Sequence, residues 1–296
     1  MDLIKELQLT AKNILIQRRI KHFGVSGWEI VCVFLNYKSK LISQIPRKVI
    51  MSKKIQPSSY DKTTKIAFET IKRKFLNGED VNPHLSRFIF DGKFTDFLFA
   101  DWGIYHLHLN TRLDNDKRLI ARSENVLFLK IFGDTVYFID IGHHGKNAPY
   151  AFAQFSLLRT IADEFPWIIE PDKIKDAIDI EDEINDPEKI KEMREEGVNL
   201  LHKINGNIYL PLNYGITSVK SSVSASVAVR MQVNKLYYLV KDAEKYITEN
   251  RTQINEHLSR NENYNPNKAC FRIDFAKDDF VIYEESTKEP LIQLKV

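Results

Sequence analysis

The stretch from Ser123 to Lys146, SENVLFLKIFGDTVYFIDIGHHGK, constrains the fold more than any other part of the chain. Two runs rich in β-branched and aromatic residues flank Gly133-Asp134, and glycine at the first central position suits a two-residue type II′ turn. The turn sets the register. A hairpin over 122–145 is therefore predicted, in which Phe132 opposes Thr135, Leu129 opposes Phe138, Leu127 opposes Asp140, Glu124 opposes His143 and Arg122 opposes Gly145. Alternation then gathers Arg122, Glu124 and His143 on one face of the hairpin's open end and puts Ser123 and His144 on the other.

Just upstream, Asp101-Trp102-Gly103-Ile104-Tyr105-His106-Leu107-His108-Leu109 reads as a strand. Residues two apart share a face, so His106 and His108 project side by side, with Tyr105, Leu107 and Leu109 opposite. Burying two imidazoles is costly unless something uses their nitrogens. Of the 8 histidines in the chain, four (His106, His108, His143 and His144) fall between residues 101 and 150, which places any chemistry there.

Three uses compete. In the first, His106, His108 and His143 act as general acid and base in RNA cleavage with Arg122. A ribose 2′-hydroxyl needs a base, the leaving 5′-oxygen an acid, and the crowded phosphorane cationic donors, all of which imidazoles and guanidinium supply without metal. Lys146 and Arg122 would hold the phosphate, Tyr105 or Tyr150 would stack on a base, and His144 and Glu124 would complete the mouth. In the second, His106 and His108 with His143 or Asp140 bind a divalent metal, a chemically sound but unspecific spacing. In the third, the rings are structural. No cofactor is expected under the first reading. Asp96 and Asp101 could pair around Mg²⁺, but Asp101-Trp102-Gly103 reads better as a turn.

With 43% hydrophobic and 28% charged residues the chain has ordinary globular composition. Alternating strands and helices without a regular βαβ rhythm predict an α+β fold. Three consecutive parts are expected. Residues 1–80 hold a helix over 2–20, a β-rich run at Trp28–Leu35 and a helix capped by Asp61 and stopped by Asn77-Gly78. Residues 81–170 hold three β-rich runs, then a helix over 149–164. Residues 171–296 hold an acidic helical stretch, a long helix from Ser218 to Leu258 and a closing hairpin, FRIDFAKDDFVIYEE. The segment Asn213–Ser222 before that long helix offers hydroxyls and Lys220 to a phosphate, although an ordinary N-cap explains it as well.

Net charge is only +3, but residues 1–75 hold 16 Lys and Arg against 5 Asp and Glu, a local charge of +11. Residues 151–200 hold 6 against 14, or −8. A basic first quarter suits RNA or another polyanion, and equally a solvated surface. The acidic stretch over 170–196 most simply makes a solvated helix. Docked on the basic part of this or a second copy, it could instead mask it, and a neutralising protein partner or a homodimer is compatible with the pattern. No run of about 18 apolar residues spans a membrane. The absence of an export signal and the unpaired spacing of Cys32 and Cys270 favour the reducing cytoplasm.

The β-rich hairpin with a basic, His-rich tip, followed by Lys146 and Tyr150, resembles the final strands of the RelE/HigB/ParE toxin superfamily over residues 95–150. The resemblance implies a small metal-independent, barnase/RelE-like ribonuclease or a gyrase poison on a helix–helix–sheet fold. It would map the phosphate-binding arginine onto Arg122, the terminal stacking or acid residue onto Tyr150, and the basic tip onto His143 and His144. The chain is some three times longer than such toxins and carries His where they use Arg or Lys. The segments NPHLSR and DWGIYHLHL also resemble an uncharacterised bacterial and phage protein group found near mobile and defence genes. The leading expectation is thus a toxin-type or anti-phage ribonuclease, with a non-catalytic nucleic-acid- or protein-binding module and a metal-dependent hydrolase as alternatives.

Overall fold

A computed structural model describes residues 1–177, 184–217, 223, 225–276 and 278–295. In chain order, α1 (Leu3–Gln17) and α2 (Glu29–Ser39) precede β1 (Lys48–Met51) and α3 (Lys62–Asn77). Then come α4 (Phe97–Trp102), β2 (Ile104–His108), β3 (Asn125–Phe132), β4 (Thr135–His143) and α5 (Ser156–Glu164). After α6 (Pro187–Glu195), β5 (His202–Ile204) and β6 (Asn207–Tyr209), α7 (Val227–Glu249) is the long helix, followed by α8 (Arg251–Leu258) and by β7 (Phe271–Ala276), β8 (Asp279–Glu284) and β9 (Pro290–Leu294). The fold is α+β, as the alternation of elements predicts.

Packing groups these elements into two compact units, Met1–Ser39 with Val229–Val296, and Lys40–Ala228. The grouping differs from three consecutive segments because pairing and packing run between distant parts of the chain. The +11 first quarter is accordingly divided between the two units. Residues 218–222 of the Asn213–Ser222 segment offered to a phosphate, Lys220 among them, lie outside the described residues, as do 224 and, in the acidic stretch, 178–183.

In the first unit, Trp28–Leu35 is not a strand. Ile30 to Tyr37 are all buried along α2, and an apolar run of this length has no periodicity to separate a strand from a helix buried on every side. Its Phe34 packs edge-on against Phe275 and Phe280 of the β7–β8 hairpin, with ring centroids 5.0 and 5.5 Å apart. Cys32 is buried on the same helix and Cys270 is a free, half-buried thiol.

The second unit is built on a four-stranded sheet of order β1-β4-β3-β2. Its three later strands are antiparallel, as predicted, but β1 joins β4 in parallel, pairing Lys48 with Thr135 and Met51 with Phe138. Asp61 caps α3 by accepting from Thr63 and Thr64 N–H, and Gly78 ends it at φ +71°. Phe68 and Phe75 of α3 pack on Phe138 from one side of the sheet. On the other side Ile104, Phe128 and Ile139 join Trp102, Leu158 and Ile161 in the core.

The hairpin keeps the predicted register only near its turn. Gly133 takes φ +60°, Phe132 pairs with Thr135 and Leu129 with Phe138. A bulge then adds one residue to β4, so Phe128 rather than Leu127 opposes Asp140, and Asn125 rather than Glu124 opposes His143. A bulge reverses the side-chain alternation beyond it. Below the bulge, Gly142 lies against the core ring of Phe128, where an added Cβ would come within 2.8 Å of Cε2. Gly142→Ala should therefore cost about 1–3 kcal/mol through overpacking, read as a lowered urea midpoint with unchanged slope. An unchanged midpoint would mean that the Phe128 ring yields freely.

Candidate functional site

The sheet edge carrying β2 opens into a cleft of about 590 Å³. Backbone constraints place its side chains. Asp96 caps α4, accepting from Phe99 N–H at 3.1 Å, and α4 ends where β2 begins. Along β2, Ile104, His106 and His108 pair with Lys130, Phe128 and Val126, so both imidazoles fall on the face bearing the Phe128 core. His84, buried, holds the carbonyl of His108 through Nδ1 at 2.9 Å and so ties the NPHL segment to the end of β2.

His106 and His108 are only 8% and 5% exposed, yet both line the cleft. The Nδ1 of His106 lies 3.4 Å from Asp96 Oδ2, while the Nδ1 of His108 accepts from Ser123 N–H at 3.3 Å. A proton on Nδ1 of His106 meets the carboxylate and leaves Nε2 as an acceptor. The Ser123 contact gives His108 the opposite tautomer, with its proton on Nε2. The two Nε2 atoms have no hydrogen-bond partner among the described residues, and neither is sealed from solvent. One acceptor and one donor therefore stand side by side, on rings whose centroids are 6.4 Å apart.

His144 supplies the third imidazole. Its Nε2 binds the carbonyl of Ser123 at 2.8 Å, its Nδ1 lies 3.4 Å from Arg122 Nη2, and its ring is 5.0 Å from that of His108. Arg122 is exposed and has no carboxylate partner among the described residues. Phe152 covers the row, 4.5 Å from His106 and 5.7 Å from His144.

Burial lowers the pKa of His106 despite the Asp96 charge, and burial with the nearby Arg122 lowers that of His144. His108 is pushed down to about 3, first by burial and then by the charges of His106, His144 and Arg122. All three rings are neutral at pH 7. Because an unfolded His titrates near 6.5, the unfolded chain binds a proton that folded His108 refuses. Its full contribution is present above pH 6.5 and is lost as pH falls towards 3. At about 1.36 kcal/mol per pKa unit, lowering pH from 7 to 4.5 should remove about 2–3 kcal/mol through this ring. Urea midpoints at the two pH values should differ less for His108→Gln than for the natural chain; an equal difference in both would show that His108 titrates normally.

Of the side chains expected at this site, the structure brings together His106, His108, His144, Arg122 and Tyr150. Four others lie elsewhere. His143 is exposed and pairs with Asn125, whose side chain binds Thr64 of α3 on the far side of the sheet. Glu124 is exposed beside it, only its carbonyl accepting from His144 N–H at 2.9 Å. The added β4 residue exchanges His143 for His144 at the cleft. Lys146 is exposed beyond it, in the Gly145–Ala148 turn. Tyr105 points to the opposite face of β2, its ring 4.5 Å from Phe99 and its hydroxyl pKa raised by burial. Tyr150 reaches the cleft but donates to Glu188 Oε1 at 2.6 Å.

Asp96 and Asp101 do not form a joint cation site. Asp96 serves α4 and His106, and Asp101 is buried against Arg194 Nε and Nη2, each 2.9 Å from Oδ2. Among the described residues no three His, Cys, Asp or Glu side chains are grouped to hold a metal ion. The Asp96–His106 pair, Phe152, Phe88, Phe94 and the α6 residues Lys191 and Arg194 were not foreseen as parts of one site. Only the capping position of Asp96, just before an apolar run, carried a local signal.

Compared with protein-family models, curated proteins and solved structures, the chain has no match. Among the described residues, no helix is long and apolar enough to cross a membrane.

Proposed function

We propose that this cleft cleaves RNA without a metal ion, with His106 as general base, His108 as hydrogen-bond donor and Arg122 as the cation for the phosphate. The observation that carries this reading is the pair of adjacent imidazoles lining the cleft, one with Nδ1 3.4 Å from the Asp96 carboxylate and the other with Nδ1 accepting from Ser123 N–H, contacts that favour opposite tautomers with a lone pair and an N–H at the two Nε2 atoms. His106 Nε2 takes the proton of a ribose 2′-hydroxyl as its oxygen attacks phosphorus, and Asp96 stabilises the imidazolium that results. Negative charge grows on the phosphorane oxygens, where His108 Nε2–H and Arg122 are the available donors. The bond to the 5′-oxygen breaks, and a proton returns from His106 or water to that leaving oxygen, giving a 2′,3′-cyclic phosphate and a free 5′-hydroxyl. A base held neutral by burial works at neutral pH and below, where an ordinary histidine is already protonated. Membership of a toxin or anti-phage system belongs to the same proposal and has only the residues over 95–150 in its favour.

Purified protein incubated with total RNA in EDTA should yield fragments ending in cyclic phosphate, with a rate that persists at pH 6. RNA left intact across conditions would retire the catalytic reading. One observation favours a second reading: the lining is largely apolar and its imidazoles are neutral, as in a site that binds a nucleotide or a peptide without turnover. It predicts saturable binding with no product.

A further inference from the structure

The cleft has two chemically different ends, joined by the imidazole row. At one end stand Arg122 and His144, in contact at 3.4 Å, and the guanidinium there has no carboxylate partner among the described residues. From His144 the rings of His108 and His106 lead to Asp96, each within contact of the next. Beyond Asp96 the wall carries two phenyl rings, with the exposed Arg87 next to them. Phe88 and Phe94 are stacked at 4.6 Å with planes 20° apart, and Phe88 is 48% exposed. A large phenyl ring left half in water at a cleft wall is open to a further ring stacking upon it. The whole volume, about 590 Å³, suits a ligand of one or two nucleotides and falls in the range of small-molecule sites.

We infer that the cleft takes one unpaired nucleotide, its phosphate at Arg122 and its base on the Phe88–Phe94 ring pair, so that single-stranded but not duplex RNA is its substrate. The inference rests on the reading under Proposed function and names the substrate class of that site. Phosphate alone would be satisfied by the cationic end and leave the aromatic wall unused. A base held in a duplex is stacked above and below and has no free face to offer a side chain, whereas a splayed base has two. Stacking on an aromatic side chain tolerates every base, so little preference among the four is expected.

The full chain, in EDTA, is titrated calorimetrically with adenosine 5′-monophosphate, adenosine and ribose 5-phosphate, and a blunt duplex RNA and one of its strands compete for a fluorescent mononucleotide. The monophosphate should bind about 5- to 150-fold more tightly than ribose 5-phosphate, the range that one stacked base supplies. The single strand should compete and the duplex should not. Arg122→Gln should weaken the monophosphate but leave adenosine unchanged. Phe88→Ala, at a half-exposed position, should weaken both but leave ribose 5-phosphate unchanged. Equal binding of monophosphate and ribose 5-phosphate, equal competition by duplex, or no binding of the monophosphate at millimolar concentration each overturns the inference. Cleavage of duplex as fast as single strand would overturn it while leaving the catalytic reading intact. Nucleotide binding with RNA left whole would remove the catalytic reading and leave this one standing.

Discussion

His106→Gln is expected to lower the rate of RNA cleavage by about 10²- to 10⁴-fold, the usual contribution of a positioned general base. Glutamine fills similar space and can still hydrogen-bond to Asp96, but it presents no basic nitrogen to a 2′-hydroxyl. The loss should fall on kcat, with KM and nucleotide binding little changed, because phosphate and base are held by Arg122 and the phenyl pair rather than by this ring. Since His106 is buried, the comparison requires a companion variant that leaves the core alone. Asp96→Asn serves. Asparagine caps a helix as well as aspartate does, so α4 should persist, but the charge that stabilises the imidazolium is removed. Without that charge the His106 pKa falls further, since Asp96 is the charge that raises it. Cleavage should therefore slow while the acid limb of the pH–rate profile moves to lower pH. Measured kcat, KM and pH profiles decide the matter: an Asp96→Asn enzyme with full kcat and an unmoved profile would remove the pair from the chemistry.

Removing one member of the buried Asp101–Arg194 pair should destabilise the Lys40–Ala228 unit by about 3–5 kcal/mol. Both side chains are 3% exposed, and the guanidinium also stacks on Trp102 at 4.1 Å and donates to the carbonyl of Phe152 at 2.6 Å. Trp102 in turn donates to His202 Nε2 at 3.0 Å, while Asp101 Oδ1 and His202 Nδ1 have no hydrogen-bond partner among the described residues. Arg194→Met would leave the Asp101 carboxylate in a dry interior with no cation, and that uncompensated charge is the chief cost. The same arginine tethers α6 to Phe152, the ring that covers the imidazole row, so nucleotide binding should weaken with stability. Arg194→Met with Asp101→Leu removes both charges and should recover much of the loss, because a well-packed apolar pair often matches a buried ion pair. Urea denaturation followed by tryptophan fluorescence measures all three forms. A loss below about 1 kcal/mol for the single variant would show that water reaches Asp101 and that the pair is not sealed.

Much of the fold was legible as sequence. The Gly133 turn, the strand placing His106 and His108 on one face, the Asp61 cap and the closing β7–β8 hairpin each depend on contacts within a few residues, where backbone stereochemistry and alternation decide the outcome. The same reasoning failed at Trp28–Leu35. Burial on every side erases the periodicity that would separate strand from helix, and only residues distant in the chain, such as Phe275 and Phe280, supply that burial. It failed again at the hairpin mouth, since a bulge between Phe128 and Leu129 leaves no mark in residue type. That single inserted residue exchanged His143 and His144 at the cleft.

By itself the sequence determined that an imidazole-rich region between residues 101 and 150 would sit on a β-sheet, because strand alternation and turn chemistry are local. Tertiary structure alone decided which imidazoles meet, which nitrogen of each is free, and that Asp96 stands behind His106 with Arg122 at the far end of the row. Those facts depend on register across strands and on burial, and both are set by atoms far apart in the chain.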